Sequence, residues 1–294
     1  MTQGDKIATA PAPFSAAYRH YVLVVLTLVY VVNYLDRSVL GILVPQIKAE
    51  FHLSNTDIGV LTGPAFAVVY AVLGVPFAMF ADRLNRRNVV MVSLAAFSLC
   101  TIFAGMAARY VQLVAARLGT GIGEAGTSPS ITSMLADLYS PKARASALAF
   151  YVAGLNVGLI IAFLSGGWIA EHYGWRRAFF AAGIPGLFLT LLLALTVREP
   201  VRGIVDNRKD PGKSESIWSV IAFLWSQKAF VWTALGCALS AFGGYAGLAF
   251  LPLFLQTSHH LTASETGVVL ALMSGVGGGL GTWLTGFAAD LVTS

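Results

Sequence analysis

Residues 53 to 82 open L-S-N-T-D-I-G and close on A-D, and residues 261 to 290, 208 positions later, open L-T-A-S-E-T-G and close on A-D at the same spacing. An internal duplication of this kind constrains the fold more than any single motif, because both copies must adopt the same local structure. Stepping from one copy to the next crosses six apolar runs. An even number returns the chain to the side it left, so both copies cross a bilayer in the same direction, as in a parallel repeat of two six-helix halves. On this register the first half is complete and the second is expected to stop after two helices.

A bilayer is required because 56% apolar residues with only 11% charged cannot supply the polar surface of a water-soluble globule. Eight segments have the length, about 20 residues, that crosses a hydrocarbon core of about 30 Å. They centre on 21–44, 58–81, 88–108, 111–136, 145–170, 178–197, 229–256 and 266–289. The expected fold is therefore an all-α polytopic membrane protein. A polar tail covers 1–20, a six-helix bundle 21–197, a linker 198–228 and the start of a second bundle 229–294.

Lys and Arg are retained on the cytoplasmic side of membrane proteins. Lys6 and Arg19 lie in the tail, Arg83, Arg86 and Arg87 follow the second span, Lys142 and Arg144 the fourth, and Arg198, Arg202, Arg208, Lys209, Lys213 and Lys228 the sixth. The opposite side carries Lys48, Arg109, Arg176 and Arg177. The N-terminus is expected inside, in a bacterial inner membrane, and topology explains the net charge of +5 without nucleic acid. No signal peptide is read in the polar first 20 residues with Pro11 and Pro13, so the first span serves as the insertion signal. Cys100 and Cys237 fall in apolar spans without metal-like spacing, and His259 and His260 read as a solvated pair in a short loop. No cofactor, metal or catalytic constellation is expected, which sets aside a membrane enzyme or receptor. Within the linker, Ile217, Val220, Ile221 and Leu224 recur at helical spacing beside Trp218 and Trp225, the pattern of an amphipathic helix lying in the interface.

Four charges remain inside the spans: Asp36 and Arg37 in the first, Arg117 and Glu124 in the fourth. Each costs about 2.5–3.5 kcal/mol on insertion scales and needs a partner, a wet cavity or a function. Counting inward at about 1.5 Å per residue puts Asp36, Arg37 and Arg117 at nearly one level and Glu124 about two turns nearer the N-terminal side. Arg117 and Glu124, seven residues apart, share a helix face, and Asn33 stands one turn from Asp36 and Arg37. A purely structural reading has Asp36 pair with an arginine to hold the two helices together. A functional reading makes Asp36 and Glu124 proton carriers, since burial favours the neutral carboxyl, with Arg37 and Arg117 neutralising them or gripping an anionic head group. Both readings can hold. Tyr70, Tyr151 and Asn156 are candidate cavity-lining groups. The glycines of the fourth and eighth spans permit close helix approach.

N-Y-L-D-R (33–37), A-D-R-L-N-R-R (81–87), R-L-G-T-G-I-G-E-A (117–125), A-D-L-Y-S-P-K-A-R (136–144), G-W-R-R-A-F (174–179) and L-T-V-R-E-P (195–200) together resemble the major facilitator superfamily, and its spinster-like branch in particular. N-Y-L-D-R alone is shared with organic-anion symporters of the same superfamily. The resemblance implies a proton-linked or gradient-driven carrier working by alternating access, with lysophospholipids and sphingoid lipids as the associated solutes. It implies a monomer when the chain has its full length. By motif, Asp36, Arg37 and Glu124 match the intramembrane charges, and Asp82, Arg83, Arg86 and Arg87 match the inner-loop gating motif. Asp290 matches its second-half copy, with no basic residues after it. The loop departs from the usual pattern at Ala78 and Asn85, where glycine is usual. Small organic acids are the alternative solute, and a fragment inactive alone is a further alternative.

Overall fold

A computed structural model describes residues 14–203 and 217–281, and every described element is helical. The helices are α1 (Ala16–Phe51), α2 (Asn55–Thr62), α3 (Pro64–Arg83), α4 (Arg86–Gly105), α5 (Tyr110–Ala125), α6 (Thr127–Leu138), α7 (Pro141–Tyr173), α8 (Trp175–Thr196), α9 (Ile217–Ser226), α10 (Lys228–Ser258) and α11 (Ala263–Leu270). A π-helical stretch, Ala271–Gly277, continues α11.

Seven helical runs among the described residues are long and apolar enough to cross a membrane. The fourth of the eight expected crossings is divided into α5 and α6, of 16 and 12 residues. The break falls at Gly126, three residues before Pro129, whose ring clashes with the carbonyl four residues back and which has no N–H to give it. Ser130 Oγ donates to the neighbouring Gly126 carbonyl at 2.8 Å. A second break, between α2 and α3, falls at Gly63 with Pro64 opening the next helix. The first helix begins at Ala16 rather than 21, capped by Ser15, and runs on to Phe51.

The duplication is visible in atomic detail. His52 and His260, one repeat apart, both take the left-handed conformation at φ 53°. Two residues later, Ser54 and Asp57 form a reciprocal capping box, Ser54 N to Asp57 Oδ2 at 2.9 Å and Asp57 N to Ser54 Oγ at 3.2 Å. Thr262 and Glu265 repeat it with the same two distances. Each box satisfies two otherwise orphaned N–H groups at a helix start.

Two apolar clusters fill the first bundle. One, around Leu26, Val29, Phe97, Leu135 and Tyr151, lies toward the end that carries the N-terminus, here the near end. The other, around Val39, Ile47, Leu113 and Phe179, lies toward the far end. A third joins Leu159 and Phe163 of α7 to Leu270 and Ala271, and so crosses from the first half to the second. This crossing is tightest at the far end. There the Glu171 carboxylate accepts from Ser264 N, in the first turn of α11, at 2.9 Å, where a helix N-terminus favours negative charge. A β-carbon at Gly167 would run into the Ala263 carbonyl, and one at Gly267 into the Phe163 carbonyl. Overfilling a packed seam costs about 1–3 kcal/mol. Gly267→Val is therefore expected to lower the thermal unfolding midpoint in detergent, whereas Gly236→Val, at a position with nothing within 4 Å, leaves it near the parent value.

The linker contributes α9, whose Val220, Ile221, Phe223 and Trp225 are exposed, as suits a helix in the bilayer interface. Residues 204–216 of the linker, 282–289 of the last expected span and 290–294 after it lie outside the described residues.

Candidate functional site

The four intramembrane charges come together midway along α1 and α5. Their meeting depends on glycine: a β-carbon at Gly121 would stand 2.9 Å from the Phe66 carbonyl, and one at Gly123 2.6 Å from Phe97 N. Only hydrogen at these two positions lets α5 lie against α3 and α4 closely enough for its charged face to reach α1.

The charges sort into two pairs. Asp36 Oδ2 accepts from Arg117 Nη1 at 3.2 Å and Oδ1 from Thr101 Oγ1 at 2.7 Å, and both side chains of the pair are 2% exposed. Arg37 Nη2 donates to Glu124 Oε1 at 2.5 Å, with side-chain exposures of 11% and 6%. Asp36 and Arg117 thus meet at the common level expected from helix rise, while the long Arg37 side chain reaches the deeper Glu124. The ring of Phe66 lies within reach of both guanidinium groups, 4.6 Å from Arg37 and 5.4 Å from Arg117. An aromatic face at these distances attracts both cations.

Arg37 has a further partner. Its Nη1 donates to the hydroxyl of Tyr245 on α10 at 2.8 Å, a bond from the first half to the second. Tyr34 and Tyr70 present their rings to the same guanidinium at 5.1 Å each. Tyr151 is buried on α7, its ring tilted against that of Tyr30 at 4.4 Å, with its hydroxyl 3.5 Å from Ser128 Oγ. The result is an aromatic wall around one partly accessible arginine, a lining suited to a solute with both apolar and charged parts.

The other expected residues are distributed as follows. Asn33 is buried on α1, and its Oδ1 has no hydrogen-bond partner among the described residues. Asn156 stands apart from the charges, on the α7 seam facing Gly278 and Gly279. Of the gating motif, the side chains of Asp82 and Arg83 and the whole of Asp290 lie outside the described residues. Arg86 is buried within the first bundle and fully engaged there. Nε donates to Glu199 at 2.8 Å, Nη1 to Asp137 at 2.5 Å and to Ser133 at 2.9 Å, and Nη2 to the Pro200 carbonyl at 2.8 Å. Arg87 N donates to Glu199 Oε2 at 2.8 Å, and its guanidinium to the Ala194 carbonyl. These bonds fasten the start of the linker to the near ends of α4 and α6.

Sequence reasoning missed Phe66, Thr101, Tyr34 and Tyr245. For Tyr245 a signal was present: it stands 208 positions after Arg37, the period of the duplication. For Thr101 and Phe66, an ordinary hydroxyl and an ordinary ring inside apolar spans, no signal was available.

Residues 26–292 match the model of the Major Facilitator Superfamily, and the chain belongs to that superfamily of membrane transporters, which are not enzymes. It is similar to an MFS-type efflux pump of Mycolicibacterium smegmatis, 32% identical over 271 residues that cover 90% of this chain and 61% of the pump. It is also similar to the D-galactonate transporter of Escherichia coli, 32% identical over 176 residues covering 59% of this chain and 40% of that protein. Among solved structures, a bacterial homologue of the human lysosomal transporter Spinster, inward-facing and unoccupied, superimposes with a TM-score of 0.83 at 35% identity, over 95% of this chain and 64% of that one. The spinster-like resemblance seen in the motifs thus extends to the fold. The chain spans about three fifths of the length of the efflux pump and of the solved homologue.

Proposed function

We propose that this protein is a proton-coupled secondary transporter that works by alternating access and carries an amphipathic or anionic solute such as a lysophospholipid or sphingoid lipid. The observation that carries this reading is the division of Arg37 between Glu124 within the first half and Tyr245 in the second. A proton arriving on Glu124 removes the negative charge that holds Arg37, and the guanidinium then becomes available to a solute head group or to the other half. The aromatic wall of Tyr34, Phe66 and Tyr70 takes the apolar body beside it.

With the N-terminus in the cytoplasm of a bacterial inner membrane, the far end is external. The Gly167, Gly267 and Glu171 seam then closes the outer side, which is the inward-facing arrangement of the solved homologue. The two halves, residues 21–197 and 229 onward, rock against each other, while Asp82 and Arg83 supply the inner latch and Asp290 its second-half counterpart.

A second reading, symport of small organic acids, is favoured by the partly accessible Arg37 and by the similarity to a D-galactonate transporter. Competition separates the two. Lysophospholipid is expected to displace a bound fluorescent lysolipid from the purified protein, and galactonate to leave it bound; the reverse result assigns the site to organic acids.

A further inference from the structure

The proposed coupling leaves open how a proton on one half is felt by the other. We infer that Tyr245 is a positioning residue through which the second half senses the Glu124–Arg37 pair, and that its hydroxyl sits at the pivot about which the halves turn. The inference rests on the proton-coupled reading above and adds to it a residue that no motif singles out.

Geometry supports the pivot. Arg37 and Tyr245 are 208 positions apart, so each occupies the other's place under the duplication, and they touch each other. Two equivalent points of a two-fold-related pair can be in contact only beside the axis that relates them. Parallel repeats of this kind have that axis along the membrane normal. Rocking turns the halves about a line in the membrane plane at mid-depth, so contacts that lie beside the two-fold axis and near the middle of the helices, as Arg37 does in α1 and Tyr245 in α10, change least, while the ends of the helices travel furthest. On the far side of this point, Gln256 Nε2 still reaches the Ile42 carbonyl at 3.3 Å. On the near side, Trp232, Leu235 and Leu239 of α10 are exposed.

The chemistry supports the sensing. A hydrogen bond to an ionised carboxylate is about twice as strong as one between neutral groups. With Glu124 ionised, Arg37 is held against α5 and presents Nη1 to Tyr245 in a fixed direction. With Glu124 protonated, the stronger restraint is gone, and the guanidinium can follow the Tyr245 hydroxyl or leave it. The other groups facing the charges are Tyr30, Tyr34 and Asp36 of α1, Tyr70 of α3, Cys100 of α4 beside Asp36, Arg117 of α5 and Tyr151 of α7. Among the described residues, Tyr245 is the member of this set that belongs to the second half.

The test is the separation of the near ends as a function of pH. In a chain with Cys100 and Cys237 replaced by serine, spin labels at Val24→Cys and Trp232→Cys, both exposed, report the distance between α1 and α10 in nanodiscs. The parent is expected to shift its distance distribution with a single midpoint in pH, and Glu124→Gln to stay in the low-pH distribution throughout. Tyr245→Phe, which removes one oxygen, is expected to lose the pH-dependent shift with its unfolding midpoint unchanged. Tyr245→Gln, whose carbonyl can accept from Arg37, is expected to restore part of the shift. If Tyr245→Phe shifts as the parent does, the inference is overturned and the role of Glu124 stands. If the parent shows no shift, or Glu124→Gln retains it, the role of Glu124 fails and the inference with it.

Discussion

Glu124→Gln is expected to abolish accumulation of solute driven by a pH gradient in proteoliposomes while solute-for-solute exchange continues. Glutamine has the shape and hydrogen-bonding capacity of a protonated glutamate and cannot release the proton. The variant should therefore hold Arg37 in the state that follows proton loading, able to bind and exchange solute but unable to complete a cycle that returns empty. Accumulation falls to the level seen without a gradient, whereas a residue with a merely structural role would lower both activities together. Stability is expected to change little, because Arg37 keeps Tyr245 and the faces of Phe66, Tyr34 and Tyr70 as partners.

The second large effect concerns Asp36. Its pair with Arg117 is closed, 2% exposed on both sides, and further satisfied by Thr101. Removing one partner of such a pair leaves a buried, uncompensated charge, which costs about 3–5 kcal/mol. Asp36→Ala is therefore expected to lower the thermal unfolding midpoint sharply and to reduce the yield of folded protein. Replacing both members with apolar residues, Asp36→Ala with Arg117→Leu, is expected to recover much of the loss, because no unpaired charge then remains. If the single variant unfolds at the parent temperature, the pair is not the tie that its geometry indicates. Asp36 thus holds α1 to α4 and α5, while its neighbour Arg37 joins Glu124 to Tyr245 of the second half.

Much of this arrangement was legible in the sequence, for definite physical reasons. The duplication of 53–82 in 261–290 is a sequence feature, and the matching capping boxes at Ser54 and Thr262 are its structural counterpart. Helix rise alone placed Asp36 and Arg117 at one level, and they do pair. What helix rise could not supply was which arginine reaches which acid, because the length of the Arg37 side chain lets it reach beyond its own level to Glu124. The division of the fourth crossing at Gly126 was signalled by Pro129, but a reading based on apolar length counts α5 and α6 as one span. The buried bonds of Arg86 were not legible, since its acidic partners Asp137 and Glu199 are distant in sequence and lie at the ends of other helices. Tyr245 is the reverse case, placed opposite Arg37 by the repeat period but carrying no charge that would mark it inside an apolar span.

The most direct measurement is the infrared difference spectrum of the protein in lipid between acid and neutral pH, in the region where protonated carboxyl groups absorb. A carboxyl band that appears on acidification in the parent and is missing in Glu124→Gln would show that this side chain takes up the proton. A band of unchanged size in Glu124→Gln, or none in the parent, would contradict the assignment and leave the Arg37–Glu124 pair as a structural tie.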